Sequence, residues 1–300
     1  MRAVGAEETV SLALGDQQAV VHARGGRVET YRVGGTEVLA GGEDPELFAF
    51  RGALLAPWPN RVAGARWRWE GRELELPVND PNSGSALHGL VFDVDWTFEL
   101  IDATSAVLTY ALAAQPGYPF PLLLTVSYAL GRDGLRCALR AVNVGAEPAP
   151  VGLGVHPYIA VPGMVDDVLL TLPATTLLET DSVWQETGRR AVAGTGLDFS
   201  SGRRIGDTAL DDAFTDVRAD DDGRSRAGVE LPDGNVVTVW AGSTCRWWQV
   251  YTADTLGPAD RRRSVAIEPM TCPPNALNTG EIDVIAPGKA VQLDWGFQLR

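Results

Sequence analysis

The sequence predicts an all-β protein, a large antiparallel β-sandwich with few short helices. Three observations carry this. Apolar residues alternate with polar ones at a period of two along most of the chain, the spacing that puts every second side chain on one face of a strand. Turn dipeptides such as Asp133-Gly134 and Asp233-Gly234 recur between the alternating runs. Strand-like runs also follow one another with almost no intervening helix, which disfavours parallel βαβ units. The chain has 300 residues, and large sandwiches reach that length as single units. No linker, repeat or low-complexity stretch divides it, so residues 1–300 are expected to form one domain.

The elements follow in chain order. ARWRWEGRELELP (65–77) reads as two strands turning at Glu70-Gly71. DWTFELID and SAVLTYAL flank a turn at 102–104. In LLLTVSYALGRDGLRCALRAVNV (122–144), a type I′ turn at Asp133-Gly134 would pair Leu130 with Cys137, Tyr128 with Leu139 and Val126 with Ala141. That register gathers the large side chains on one face. Short helices are expected around 184–190 and 207–213. VELPDGNVVTVW is a further hairpin, and VQLDWGFQL is the final strand. Near the end, VAIEPMTCPPNALNTG (265–280) places Glu268 directly after an apolar run and before Pro269. Pro269, Pro273 and Pro274 exclude a helix there, so Glu268 is expected where a core strand meets a stiff loop.

Composition narrows the partners. The formal charge is −14 with a pI near 4.6, a surface that repels phosphate backbones and anionic membranes. No run approaches the roughly 20 apolar residues of a membrane span, and the acidic N-terminus lacks the apolar core of a signal peptide. A cytoplasmic protein, monomeric or homodimeric, is expected. Cys137, Cys245 and Cys272 form no metal or disulfide pattern and read as free thiols. The sole lysine, Lys289, lies in an exposed turn, and the acidic loop at 219–226 is solvated rather than metal-binding.

No phosphate-binding loop, zinc motif or serine-hydrolase elbow occurs. What remains are histidines and carboxylates in unusual surroundings. His22 lies in an alternating strand and reads as structural. His88 follows a Pro/Asn/Ser/Gly-rich loop, and His156 precedes Pro157, which holds it extended. Each reads either as a packed core histidine or as a site residue. Asp211 in ALDDAF fits a turn or helix cap as well as a site. Glu268 fits a buried, arginine-paired carboxylate, and Arg61 in PWPNRVAG fits a strut or a ligand fork. The nine tryptophans are compatible with stacking on sugar faces, although most tryptophans fill cores.

Taken together and in this order, PNRVAGARW, LHGL followed by Trp96, GVHPY, LDDAF and VAIEPMTCPPNA resemble the aldose 1-epimerase (mutarotase) family. The resemblance implies a large antiparallel β-sandwich with an open cleft, interconverting the α and β anomers of a free aldose without metal or cofactor. It makes Glu268 the base acting on the anomeric hydroxyl and His156 the acid acting on the ring oxygen. Arg61, His88 and Asp211, with Asn60 beside Arg61, would bind sugar hydroxyls. His156 and Glu268 are then expected on opposite sides of one sugar ring.

Galactose mutarotases typically carry a second glycine after His-Gly and an Asn-His-Tyr-Phe type motif. Here Leu90 follows His88-Gly89, and Val155 and Pro157 flank His156, so the chain resembles a divergent branch. A hexose-6-phosphate branch would need basic residues, but Arg261, Arg262 and Arg263 read as a solvated turn. Two other readings compete: a sugar-binding domain without turnover, and a glycoside hydrolase using Asp211 and Glu268. A metal site of His88, His156 and Glu268 is the weakest, matching no compact ligand motif.

Overall fold

A computed structural model of the chain describes residues 8–41 and 48–300. The first seven positions, part of the stretch that argues against a signal peptide, lie outside them. Two large antiparallel sheets, of twelve and nine strands, make up the architecture. The larger begins with the meander Thr9–Leu14, Gln17–His22, Val28–Val33 and Thr36–Leu39. It continues through Tyr158–Ala160, Ser264–Met270, Trp247–Tyr251, Asp211–Thr215, Thr176–Thr180 and the edge strand Glu186–Ala191. The smaller is built around Ser105–Leu112, Leu122–Gly131, Gly134–Asn143, Ala290–Leu299 and Val236–Ala241.

Alternation along these strands explains the sandwich. Val265, Ile267, Val250, Trp248 and Ile159 from the larger sheet enter one hydrophobic cluster with Leu124, Val126, Tyr128, Leu139 and Val239 from the smaller. Each such side chain contributes roughly 1.5–3 kcal/mol when removed from water. Cys137, Cys245 and Cys272 are free and buried within this framework. Among the described residues, no helix is long and apolar enough to cross a membrane.

Most expected hairpins form as read. The turn at Glu70-Gly71 joins Arg66–Trp69 to Arg72–Glu75, and residues 102–104 join Thr97–Ile101 to Ser105–Leu112. The central hairpin differs in register: Leu130 faces Leu135, Tyr128 faces Cys137 and Val126 faces Leu139. Gly134 is not a turn centre but the first ladder residue of its strand. A Cβ there would lie 2.0 Å from the Phe297 carbonyl oxygen, so glycine lets the final strand close against it. The register moves by two residues, and the same faces stay buried.

Both expected helices are absent. Residues 184–190 fall largely in the strand Glu186–Ala191, and 207–213 lead into Asp211–Thr215. Asp211–Thr215 pairs on both sides, and sheet pairing outweighs weak local propensity. The only α-helix among the described residues is one turn, Ala276–Thr279, after the Pro-Pro pair.

Glu268 is not at a strand end, because the strand Ser264–Met270 runs through Pro269. The N–H groups of Ile267 and Thr271 donate to Pro157 and Leu153. By strand alternation, position 269 faces the break between those two partners, so proline there gives up no ladder bond. Arg262 also departs from a solvated turn. It is buried, bonding Asp166 and Asp254 and the carbonyls of Gly206 and Thr208, while Arg261 and Arg263 are exposed.

Candidate active site

The face of the larger sheet turned away from the core carries polar groups. The strands Gly154–Val155 and Tyr158–Ala160 both pair with Ser264–Met270, Gly154 opposite Met270 and Tyr158 opposite Ala266. That register sets His156 against Glu268, in the gap where the ladder is interrupted. His156 instead makes its backbone bonds to Ala53 and Gly52, so its side chain is held by a second segment. On the other side, Gln249 pairs with Glu268, and Asp211 pairs with Tyr251. Period two therefore aligns His156, Tyr158, Glu268, Gln249, Tyr251 and Asp211 on one face.

A second small sheet brings the remaining groups. Arg61–Val62 pairs with Ala86–Leu87, Arg61 opposite Leu87. Asn275, from the CPPNA segment, donates its N–H to the Arg61 carbonyl and accepts from Ala63 through Oδ1. That contact explains why a proline-rich loop accompanies the Glu268 strand. His88 has φ of 64° and is followed by Gly89 at 78°. A Cβ on Gly89 would stand 2.1 Å from the Ala56 carbonyl oxygen, so this turn requires glycine.

All six residues singled out from the sequence, Asn60, Arg61, His88, His156, Asp211 and Glu268, line one open cleft of about 560 Å³. Phe50, Tyr158, Tyr251 and Leu256 complete much of its wall. Glu268 is 1% exposed and His156 5%. His156 Nε2 lies 3.3 Å from Glu268 Oε1, while Glu268 Oε2 and His156 Nδ1 have no partner among the described residues. The two groups are thus adjacent and not on opposite sides of a ring.

Burial dominates the electrostatics. It raises the Glu268 carboxyl well above its usual range, with Asp211 adding and Arg61 opposing. It also lowers His156 to about 3, with the Arg61 charge adding. Both shifts favour the uncharged forms, a protonated carboxyl beside a neutral imidazole. His88 is lowered by burial and by the charges of His156 and Arg61. Its Nδ1 accepts the Asn60 N–H at 3.2 Å, which puts the neutral ring's proton on Nε2.

Asp211 is raised by the protein around it, although its side chain stays 42% exposed at the cleft mouth. Gln249 Nε2 donates to Asp211 Oδ1 at 2.7 Å. Arg61 Nε donates to Asp80 Oδ2 at 2.8 Å, and Ser83 also donates to that oxygen. Burial would raise Asp80, but these bonds outweigh it and the carboxyl is lowered. Rings crowd the pair: His156 stacks on Tyr158 at 5.0 Å and meets His88 edge-on at 5.1 Å.

Sequence reasoning missed Asp80, Gln249, Tyr158 and Tyr251. The last three share the sheet face of Glu268, but only the strand register shows it. Asp80 lies in a loop whose reach to Arg61 no local pattern reveals. The tryptophans are mostly core: Trp58, Trp67, Trp247, Trp248 and Trp295 are fully buried. Trp184 is the exception, its ring centred 3.9 Å from Arg61 Cζ. Among the described residues, no group of three or more His, Cys, Asp or Glu could hold a metal ion.

The family described as aldose 1-epimerase matches residues 8–297. The uncharacterised protein YihR of Escherichia coli (strain K12) is 34% identical over 281 residues, covering 93% of this chain and 88% of that protein. The aldose 1-epimerase of the same strain is 29% identical over 238 residues, 72% of this chain and 65% of its own length. Among solved structures, a GalM/aldose epimerase homologue from C. elegans superposes with a TM-score of 0.87 at 17% identity, covering 99% of both chains. Galactose 1-epimerase from Lactobacillus acidophilus NCFM gives 0.82 at 21% identity, covering 99% of this chain and 98% of that one. These likenesses show the β-sandwich fold.

Proposed function

The chain belongs to the aldose 1-epimerase family, and we propose that it interconverts the α and β anomers of a free aldose by acid–base opening and closing of the ring. One observation carries the reading: the buried contact between His156 Nε2 and Glu268 Oε1 at 3.3 Å, within a cleft also lined by Arg61, His88 and Asp211. Binding begins with the sugar's hydroxyls meeting Arg61, His88 Nε2–H and Asp211, with Asn60 fixing the His88 ring from behind.

The anomeric hydroxyl then donates to Glu268, and the ring oxygen accepts from His156. For this a proton moves from the Glu268 carboxyl to His156 Nε2, leaving Glu268 ionised and His156 charged. The sugar assists by donating to the carboxylate and accepting from the imidazolium. Glu268 takes the hydroxyl proton, His156 delivers its own to the ring oxygen, and the C1–O5 bond breaks to an open-chain aldehyde. Rotation about C1–C2 presents the other carbonyl face. The two proton transfers then run in reverse and close the ring as the opposite anomer. Each partner is worth ~10²–10⁴-fold.

Of the described residues lining the cleft, only Arg61 is a permanent cation, and Asp80 already holds it. Arg261, Arg262 and Arg263 are not among the lining residues. These features favour an uncharged aldose over a phosphorylated one. The test is NMR exchange between anomers on a panel of neutral and phosphorylated aldoses. Acceleration for a neutral member supports the reading, and acceleration for none overturns it.

A further inference from the structure

At the edge of the larger sheet, the hairpin of Thr176–Thr180 and Glu186–Ala191 ends in a tight, well-bonded tip. Asp181 Oδ1 accepts the N–H groups of Val183 and Gln185, both at 2.9 Å. The Asp181 N–H donates to the Gln185 carbonyl, and the Trp184 N–H to the Asp181 carbonyl. These bonds hold Trp184 at a φ of 66°, a backbone region that a bulky aromatic residue occupies only when its surroundings impose it. Val183 beside it is exposed at 38%. Trp184 is half-buried, its indole over the Arg61 guanidinium at 3.9 Å.

Arg61 is thereby constrained twice. Its Nε edge is bonded to Asp80 at 2.8 Å, and one face of the guanidinium lies against the indole. Among the described residues, neither NH1 nor NH2 makes a hydrogen bond, and NH1 is 4.0 Å from Asp211 Oδ2. The indole is not part of the hydrophobic core, and its cation–π partner is Arg61.

We propose that Trp184 is a positioning residue for sugar binding: with Asp80 it clamps the Arg61 guanidinium so that its free N–H edge is presented to a sugar hydroxyl. The inference rests on the function proposed above. Arg61 on a flexible stem would lose rotamer freedom with each binding event, and Trp184 removes that cost beforehand while shielding one face of the cation from water. The effect therefore falls on affinity rather than on the proton transfers, which belong to His156 and Glu268. A cation–π contact between exposed and desolvated limits corresponds to about three- to thirty-fold in binding.

The experiment measures kcat and KM by anomer exchange, and Kd by calorimetry, with D-glucose and D-galactose as probes. It compares wild type, Trp184→Ala, Trp184→Phe, Arg61→Met and the Arg61→Met/Trp184→Ala double variant. The expected result is a KM and Kd roughly three- to thirty-fold higher for Trp184→Ala, with kcat and Tm near wild type. Trp184→Phe should recover part of the loss, and Trp184→Ala should add nothing on the Arg61→Met background. Unchanged affinity in Trp184→Ala, an equal loss with and without Arg61, or a fall in kcat accompanied by a lower Tm would each overturn the proposal. Failure of the functional reading itself would look different: wild type would bind a probe without accelerating its anomer exchange, and the Trp184 effect would still be read in Kd. Wild type binding no aldose of the panel would overturn both.

Discussion

Replacing Glu268 with glutamine is expected to stabilise the fold, and by an amount that grows with pH. Glutamine keeps the shape of a side chain that is 1% exposed and has an unpartnered Oε2. In the unfolded chain the carboxyl ionises near its ordinary 4.5, whereas in the fold burial keeps its proton well above that value. Between the two, the folded state retains a proton that the unfolded state has released, so stability falls as pH rises. Each pH unit costs about 1.4 kcal/mol, and the loss levels off once the folded value is passed. For a chain of this length that is roughly 2 °C in Tm per pH unit.

The assay is thermal unfolding of wild type and Glu268→Gln at steps from pH 4.5 to 8.5. The Tm gap in favour of the variant should widen with pH, apart from a constant offset for the altered contact with His156. A gap that stays constant would refute the reasoning. A gap that narrows or reverses would mean that Glu268 is ionised against a charged His156, with its carboxyl lowered rather than raised.

Other predictions follow from the supporting residues. Gly89→Ala should cost at least about 2 kcal/mol and weaken sugar binding, because the added Cβ meets the Ala56 backbone 2.1 Å away and moves neighbouring His88; thermal unfolding and calorimetry would show it. Asp80→Asn replaces a charge-assisted bond to Arg61 with a neutral one, a difference of about 1 kcal/mol, so KM should rise roughly five-fold with kcat little changed. Because the Asp80 carboxyl is lowered, its stabilising contribution is present above pH ~3.8 and is lost as pH falls through the folded value. The wild-type advantage over Asp80→Asn should therefore vanish in acid.

From the residues alone, His88 after its Pro/Asn/Ser/Gly-rich loop, His156 before Pro157 and Glu268 before Pro269 stood out by their surroundings, without separating a site residue from a packed one. The family resemblance gathered them with Asn60, Arg61 and Asp211, and the fold brings all six to one cleft. Hairpins declared by turn dipeptides and alternation, such as Arg66–Trp69 with Arg72–Glu75, were equally visible. Features that depend on distant chain segments were not. Glu186–Ala191 and Asp211–Thr215 become strands through their partners rather than their own propensity. Arg262 sits among arginines that look solvated, yet Asp166, 96 positions away, helps to bury it. Tyr158 reaches the cleft, and Gln249 the Asp211 carboxyl, through sheet register alone.

The most direct test of the central claim is the rate of α–β exchange measured by NMR for wild type and Glu268→Gln side by side, on the neutral aldose that wild type accelerates most. Loss of ~10²–10⁴-fold in the variant, with its fold intact and sugar still bound, is the predicted result. A Glu268→Gln protein that exchanges anomers as fast as wild type would contradict the account.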